Sequence, residues 1–115
     1  MKGSRMGWIQ RLLGAAQPPA VPALPDDAML IDVRSEGEFM SGHIEGALCL
    51  PLDRIEAGIA EVAPDLHTPL VLYCASGARS GRAREVVLRL GYTQVANGGG
   101  VGALALRLNR QIKRA

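Results

Sequence analysis

Residues 70–90 read LVLYCASGARSGRAREVVLRL. The stretch starts with the apolar run Leu70–Tyr73, which is typical of a buried strand. Small residues follow, and then apolar residues return at helical spacing, which predicts a helix over 80–90 with Gly91 just past its end. A strand that leads through a short loop into a helix is the repeating unit of an α/β fold. This stretch therefore predicts an α/β fold for the whole chain.

Apolar runs and helical patterns alternate along the rest of the sequence. The pattern predicts strands over 29–33, 47–50 and 93–96, and helices over 36–41, 53–62 and 101–113. Such alternation favours a parallel sheet flanked by helices on both faces. The glycines Gly98–Gly100 lack the lysine and spacing of a phosphate-binding loop, and we expect them to form a tight entry to the last helix.

The composition is that of a small globular protein with an uneven distribution of charge. The 115 residues include only 3% aromatics, which argues against a base-stacking surface for single-stranded nucleic acid. The net charge of +2 hides three parts: residues 1–17 carry three basic residues and no acid, 18–66 carry ten acids and two bases, and 67–115 carry eight bases and one acid. A basic carboxyl-terminal half favours an anionic ligand or partner.

The first 25 residues are expected to lie outside the domain proper. Residues 6–16 have the spacing of a short amphipathic helix that packs on the domain, and residues 17–25 form a proline-rich linker, so the domain spans 26–115. The amino terminus lacks the apolar stretch of a signal peptide, and no run is long enough for a transmembrane segment. Two cysteines are too few for a disulfide scaffold, and we expect a cytoplasmic, reduced protein.

Cys74 is the candidate nucleophile. It ends the apolar strand, at the edge of the sheet where α/β proteins bind ligands. The small residues after it allow backbone amides to converge on an anion, the helix amino terminus adds partial positive charge, and Arg79 adds a full one. Ser80 is expected to cap the helix. Such a cradle lowers the pKa of a thiol and makes the reactive thiolate.

Four segments in this order resemble the signatures of rhodanese domains. They are Leu30–Arg34, Phe39–Ala47, the loop Cys74–Ser80, and Leu90–Tyr92 together with Asn97–Gly100. The resemblance covers about residues 26–108 and is strongest to single-domain rhodaneses of the phage-shock type. Many rhodaneses have a tryptophan soon after the glycine pair, and this chain has none there.

The resemblance implies a three-layer rhodanese-like fold and a sulfurtransferase that uses no cofactor and no metal. Cys74 would take the outer sulfur of thiosulfate as a persulfide and pass it to a thiophilic acceptor such as cyanide or a thiol. The donors for the bound anion would come from the loop, namely Ala75, Ser76, Gly77, Ala78, Arg79 and Ser80.

Several other functions remain open at this point. Four residues separate Cys74 from Arg79, whereas cysteine-dependent phosphatases have five, so the loop favours a sulfur-centred anion over phosphate. A relay protein that accepts sulfur from a partner protein would use the same cradle. A rhodanese-like arsenate reductase and a non-catalytic binding module are further alternatives, although such modules usually lose the cysteine.

The remaining motif residues are interpreted as structural. Asp32 and Arg34 support the fold, with Arg34 expected to pair with an acid such as Glu38. His43 is expected to stabilise a turn through a hydrogen bond, and Gly46 to provide a backbone turn.

Two features of the motif region have competing interpretations. Cys49 is interpreted as a small core residue, with the alternative that it resolves an oxidised or persulfidated Cys74. The arginines of the helix after the loop form a solvated face or attract anions, whether small ones or an acidic partner protein; they are Arg82, Arg84 and Arg89.

Overall fold

The computed structural model of the protein describes residues 24–115. In chain order the elements are β1 (Met29–Asp32), α1 (Glu36–Ser41), β2 (His43–Ile44), β3 (Leu48–Cys49), a 3-10 turn (Leu52–Arg54), α2 (Ile55–Val62), β4 (Leu70–Cys74), α3 (Ala78–Arg89), β5 (Val95–Gly100), α4 (Val101–Leu108) and β6 (Ile112–Lys113). The helix predicted over 6–16 and most of the linker predicted over 17–25 lie outside the described residues.

The main sheet has four parallel strands in the order β3-β1-β4-β5. β4 is central and buried at all five positions, as its unbroken apolar sequence predicts. β2 and β6 form a separate antiparallel pair. The α/β class and the parallel sheet predicted from the sequence are confirmed.

Each face of the main sheet is covered by its own apolar cluster. On one face, Leu72 and Cys74 of β4 pack with residues of α2 and α3 such as Ile59 and Val87. On the other face, Val71 and Tyr73 of β4 pack with residues of α4 and β2. Side chains alternate between faces along a strand, so adjacent residues Tyr73 and Cys74 belong to different layers. The result is the expected arrangement of helices on both faces.

The glycine run leads directly into the last helix, as predicted, with Gly100 as its N-cap, but the glycines form the end of strand β5 and not a separate turn. β5 extends to Gly100 and pairs with β4 as far as Cys74, with a register shift between Leu72 and Tyr73. A Cβ atom at Gly98 would approach side chains of Val71 and Leu104 to 2.8 Å, and one at Gly100 would approach the Ala75 carbonyl to 2.6 Å. Only glycine fits at these two positions, because β4, α4 and the loop after Cys74 lie too close to β5 for a side chain.

The last helix is shorter than the predicted 101–113. α4 ends at Leu108, where Asn109 adopts the left-handed conformation with φ 54°. Asparagine tolerates this conformation better than most residues and commonly ends helices in this way. The chain then reverses, so that Ile112 in β6 pairs with Ile44 in β2.

Candidate active site

Cys74 lies at the carboxyl end of the central strand and is 1% exposed. Its Sγ atom accepts hydrogen bonds from the backbone N–H of Gly77 at 2.9 Å, and from the backbone N–H and the hydroxyl of Ser80 at 3.4 Å each. All three donors come from the loop and the first turn of α3. Of the loop amides predicted to converge on an anion, those of Gly77 and Ser80 donate to Sγ.

These donors change the acidity of the thiol. Burial by itself would raise the pKa of Cys74, because it disfavours the charged form. The side-chain and backbone hydrogen bonds from Ser80, together with those from the backbone of Ser76 and Gly77, stabilise the thiolate and lower the pKa to about 7. A large share of the thiol is therefore ionised near neutral pH without a general base.

The turn into α3 depends on Gly77, whose φ of +99° lies in the left-handed region. This conformation aims the Gly77 N–H at Sγ and starts the helix at Ala78. Ser80 is therefore the third residue of the helix rather than its N-cap, which Gly77 occupies, and the predicted capping role is wrong. Its buried side chain turns towards Cys74 instead. Ala75, Ser76 and Ala78 are exposed on the outside of the loop.

Asn97 supports the loop from the neighbouring strand, and the sequence interpretation missed it. Its Oδ1 atom accepts hydrogen bonds from the Ser80 hydroxyl at 2.7 Å and from the Gly99 N–H at 3.0 Å, while its Nδ2 donates to the Gly77 carbonyl at 3.1 Å. Two signals in the sequence point to Asn97: it belongs to the segment Asn97–Gly100 that resembles a rhodanese signature, and it follows an apolar run, so that it would lie towards the same edge of a parallel sheet as Cys74.

Arg79 is held by Glu38. Its Nη1 and Nη2 atoms donate to the two carboxylate oxygens of Glu38 at 2.8 and 3.0 Å. Arg34, which was expected to pair with Glu38, instead donates to both oxygens of Asp32 and to the Gly42 carbonyl. The expected pairing with Glu38 is wrong. Asp32 lies only two residues before Arg34, and the two side chains meet inside the fold at the end of β1.

Asp32 and Arg34 form a buried ion pair, with side chains 0% and 8% exposed. A buried carboxylate needs such a partner, and the bidentate fork of an arginine satisfies both of its oxygens. His43 makes the hydrogen bond expected of it, from Nδ1 to the Phe39 carbonyl at 2.8 Å, and its ring stacks on Phe39. Gly46 has φ +89°, as a turn requires.

Cys49 is separated from Cys74 by the strand between them. It is the register partner of Asp32 in β1, which in turn is the partner of Tyr73 in β4, so its side chain lies on the Tyr73 face of the sheet. Two strand spacings amount to about 9.5 Å. A disulfide needs Cα atoms within about 7 Å, so Cys49 cannot resolve Cys74 in this fold. Its burial raises the pKa of the Cys49 thiol.

Several cavities border the loop, among them one of about 410 Å³ beside Ser76 and the glycines of β5 and two that contain bonded arginines. One of about 560 Å³ lies beside Arg79 at the carboxyl ends of β1 and β3, and its charged residues include Glu36 and Arg54, which are paired at 2.7 Å. The other, of about 880 Å³, lies between α3 and β5, where Arg84 donates from Nε to the Val95 carbonyl at 2.7 Å. Arg84 is thus a packing contact as well as a charge on the helix face.

Within residues 24–115, no group of three or more His, Cys, Asp or Glu side chains is placed to hold a metal ion. In the same part of the chain, no helix has the length and apolar character needed to cross a membrane.

The comparisons with known proteins agree with this geometry. The family model of the rhodanese-like domain matches residues 17–101. The thiosulfate sulfurtransferase PspE of Escherichia coli is 37% identical over 76 residues, which are 66% of this chain and 73% of that protein. A sulfurtransferase of Allochromatium vinosum is 38% identical over 72 residues, which are 63% of this chain and 65% of that protein.

Solved structures give the same result. A rhodanese with anions from Escherichia coli superposes with a TM-score of 0.71 at 32% identity, covering 76% of this chain and 99% of that one. The human single-domain sulfurtransferase TSTD1 superposes with a TM-score of 0.61 at 28% identity, covering 88% and 91% of the two chains. With Cys74 at the position of the active-site cysteine, the chain belongs to the rhodanese family of sulfurtransferases.

Proposed function

We propose that this protein is a thiosulfate sulfurtransferase that carries sulfane sulfur as a persulfide on Cys74. The observation that carries the proposal is the set of three loop donors on the Sγ atom of a buried cysteine. Donors that stabilise a thiolate in the resting protein also suit the terminal sulfur of a persulfide, which is an anion of similar charge.

In the first half-reaction, the Cys74 thiolate attacks the outer sulfur of thiosulfate. A bond forms between Sγ and that sulfur, the sulfur–sulfur bond of thiosulfate breaks, and its electron pair leaves on sulfite. In the second, an acceptor such as cyanide attacks the terminal sulfur, thiocyanate forms, and the electron pair of the persulfide bond returns to Sγ. No proton transfer is needed in either step, which fits a thiol whose pKa is about 7.

Two further facts support thiosulfate as the donor. The relative from Escherichia coli that is 37% identical over 76 residues is named a thiosulfate sulfurtransferase. The loop has four residues between Cys74 and Arg79, one fewer than the ring with which cysteine-dependent phosphatases surround a phosphate. A smaller ring of amides suits a single terminal sulfur better than a tetrahedral oxyanion.

The test is thiocyanate production from thiosulfate and cyanide. We expect the wild-type protein to turn over and Cys74→Ser to lose all measurable activity, because a hydroxyl has no comparable nucleophilic anion at neutral pH. Cys49→Ser is the matched control and should retain activity, since Cys49 lies on the opposite face of the sheet. Equal loss in both variants, or activity retained in Cys74→Ser, would rule out the mechanism.

Measurement of the intact protein mass distinguishes the donor step from the acceptor step. After thiosulfate alone, the protein should gain one sulfur atom, and cyanide should remove it. A protein that loads from a persulfidated partner protein but not from thiosulfate would instead be a relay protein, and the thiosulfate assignment would then be wrong.

A further inference from the structure

Glu38 is the only acid for which the structure shows an ion pair with the catalytic loop among residues 24–115. It lies in α1, 41 positions before Arg79 in the sequence, and binds both terminal nitrogens of that arginine. The side chains of Arg79 and Glu38 are 33% and 37% exposed. The pair therefore lies at the surface of the loop, within reach of an anion from solution.

The carboxylate of Glu38 is held in place from its own helix as well. Ser35 is the N-cap of α1, and its N–H and hydroxyl each donate to Oε1 of Glu38 at 3.1 Å, while its Oγ accepts from the Glu38 N–H. This is a capping box. The hydrogen bond from Arg79, followed by those from Ser35, lowers the pKa of Glu38 to about 2, so the group is a full negative charge at neutral pH.

The consequence is that the cation of the loop is neutralised in the resting protein. The hydrogen bonds on Sγ come from Gly77 and Ser80, whereas the terminal nitrogens of Arg79 are bonded to Glu38. Arg79 nevertheless interacts electrostatically with Cys74, so the two charges lie within range of each other. An anion that approaches Cys74 therefore meets an arginine already bound to a carboxylate.

Such a pair can exchange. Both side chains are partly exposed, so solvent screens the charges, and an anion that offers the same two hydrogen bonds can take the place of Glu38. A sulfonate group offers two or more oxygens in the geometry that a guanidinium prefers, as the carboxylate does. An anion with only one weak contact cannot replace both hydrogen bonds, so the exchange favours donors with several acceptor oxygens.

We infer that Glu38 is a positioning residue that sets the selectivity of the site: it occupies Arg79 in the resting protein, and an anionic donor must displace it to use that cation. The inference rests on the proposed function, because it assigns how the same site chooses its donor. Glu38 then competes with the anionic donor for Arg79 and is more than a structural support.

The experiment measures the local potential at Cys74 without any sulfur transfer. In a Cys49→Ser background, Cys74 is alkylated with iodoacetate, which is an anion, and with iodoacetamide, which is neutral and of similar size. The ratio of the two rates reports attraction for anions, whatever the natural donor. Glu38→Gln should raise this ratio about threefold, because it removes one negative charge and frees Arg79. Glutamine also keeps the capping box of α1.

Three variants control for other effects. Ser35→Ala breaks the capping box but leaves the charge on Glu38, so the ratio should change little. Glu36→Gln removes a charge from the same helix that is paired with Arg54 instead, and should have a smaller effect. In an Arg79→Gln background, Glu38→Gln should lose most of its effect, since the two charges act together.

A second measurement uses the proposed donor. With thiosulfate, Glu38→Gln should lower KM by about threefold with little change in kcat, because binding and not bond breaking is affected. An unchanged or lower alkylation ratio in Glu38→Gln would overturn the inference, as would an equal rise in Ser35→Ala. If the ratio rises but thiosulfate fails to load Cys74, the role of Glu38 stands and the proposed donor is wrong.

Discussion

Single residues decide whether Cys74 is a nucleophile or an ordinary buried thiol. The Ser80 hydroxyl has one proton and faces two acceptors, the Asn97 side chain at 2.7 Å and Sγ at 3.4 Å. When the thiol ionises, the stronger acceptor is the thiolate, and the proton is expected to turn towards it. Asn97 then keeps its hydrogen bond from Gly99.

Ser80→Ala should raise the pKa of Cys74, because the hydroxyl is the largest of the contributions that lower it. The thiolate is present above the pKa and is lost as the pH falls through it, so the alkylation rate at pH 7 should fall about fivefold if the pKa rises by about one unit. The rates of the variant and the wild type should converge at high pH, where both thiols are ionised.

Ser76→Ala is the matched control for that change. Ser76 acts on Sγ through its backbone amide, so the midpoint of the pH profile should stay in place. Superimposable pH profiles for Ser80→Ala and the wild type would show that the hydroxyl has no part in the acidity of Cys74.

At the scale of the elements, the short β2–β6 pair closes the carboxyl-terminal end of the chain over α1. Ile112 pairs with the fully buried Ile44, and the Ala115 N–H donates to the Met40 carbonyl at 3.0 Å. The side chain of Ile112 packs against Gly42, where a Cβ atom would lie 3.2 Å from it. These contacts join β6 to the segment that carries Glu38.

Removal of residues 112–115 should therefore cost stability. The loss of a few hydrogen bonds and of the half-exposed Ile112 side chain predicts a decrease of about 1–2 kcal/mol in the free energy of unfolding. The midpoint of urea unfolding measures it. Lys113→Ala keeps the backbone pairing and loses only an exposed contact of 4.0 Å with Glu45, so it should behave as the wild type. An unshifted midpoint in the shortened chain would show that β6 contributes nothing.

The helices and the strands of the main sheet could be predicted from the sequence, whereas the β2–β6 pair and the end of β5 could not. β4 and α3 have enough apolar residues for their period to be visible. β6 has two residues, and its strand character depends on a partner about 70 positions away. The glycine strand β5 has no apolar pattern at its end, because close approach to the loop and to α4 excludes side chains there.

In the active site, too, some contacts could be predicted from the sequence and others could not. The position of Cys74, and the Gly77 and Ser80 amides that donate to it, follow from a strand, a loop and a helix in sequence order. The partners of Ser80 and Arg79 lie on other elements, at Asn97 and Glu38. Arg34 pairs with Asp32, two residues before it, and the predicted partner Glu38 binds Arg79 from the distant loop instead.

For the molecule as a whole, folding brings the acidic and basic halves of the chain together. Glu38 with Arg79 and Glu45 with Lys113 are pairs between the two. They neutralise only part of the basic charge, since α3 has four arginines and a single acid. Part of the remainder lies on α3, the helix that begins at the active-site loop, where we expect it to attract anions from solution.

This charge predicts a salt dependence. The second-order rate constant for persulfide formation from thiosulfate should fall roughly two- to threefold between about 0.01 and 0.1 M salt. The reason is that the screening length falls from about 30 to about 10 Å over this range. Alkylation by neutral iodoacetamide in the same buffers should change little. A thiosulfate rate that is as insensitive to salt as the iodoacetamide rate would exclude electrostatic attraction.

The strand between the two cysteines determines how this protein responds to oxidants. The chain has two cysteines in all, and β1 keeps Cys49 out of reach of Cys74. A sulfenic acid formed on Cys74 can be trapped as a disulfide only by a thiol from outside the chain, such as a small cellular thiol. Without one, a second oxidation gives the irreversible sulfinic acid. We therefore expect the Cys74 thiol to survive peroxide only where an external thiol is supplied.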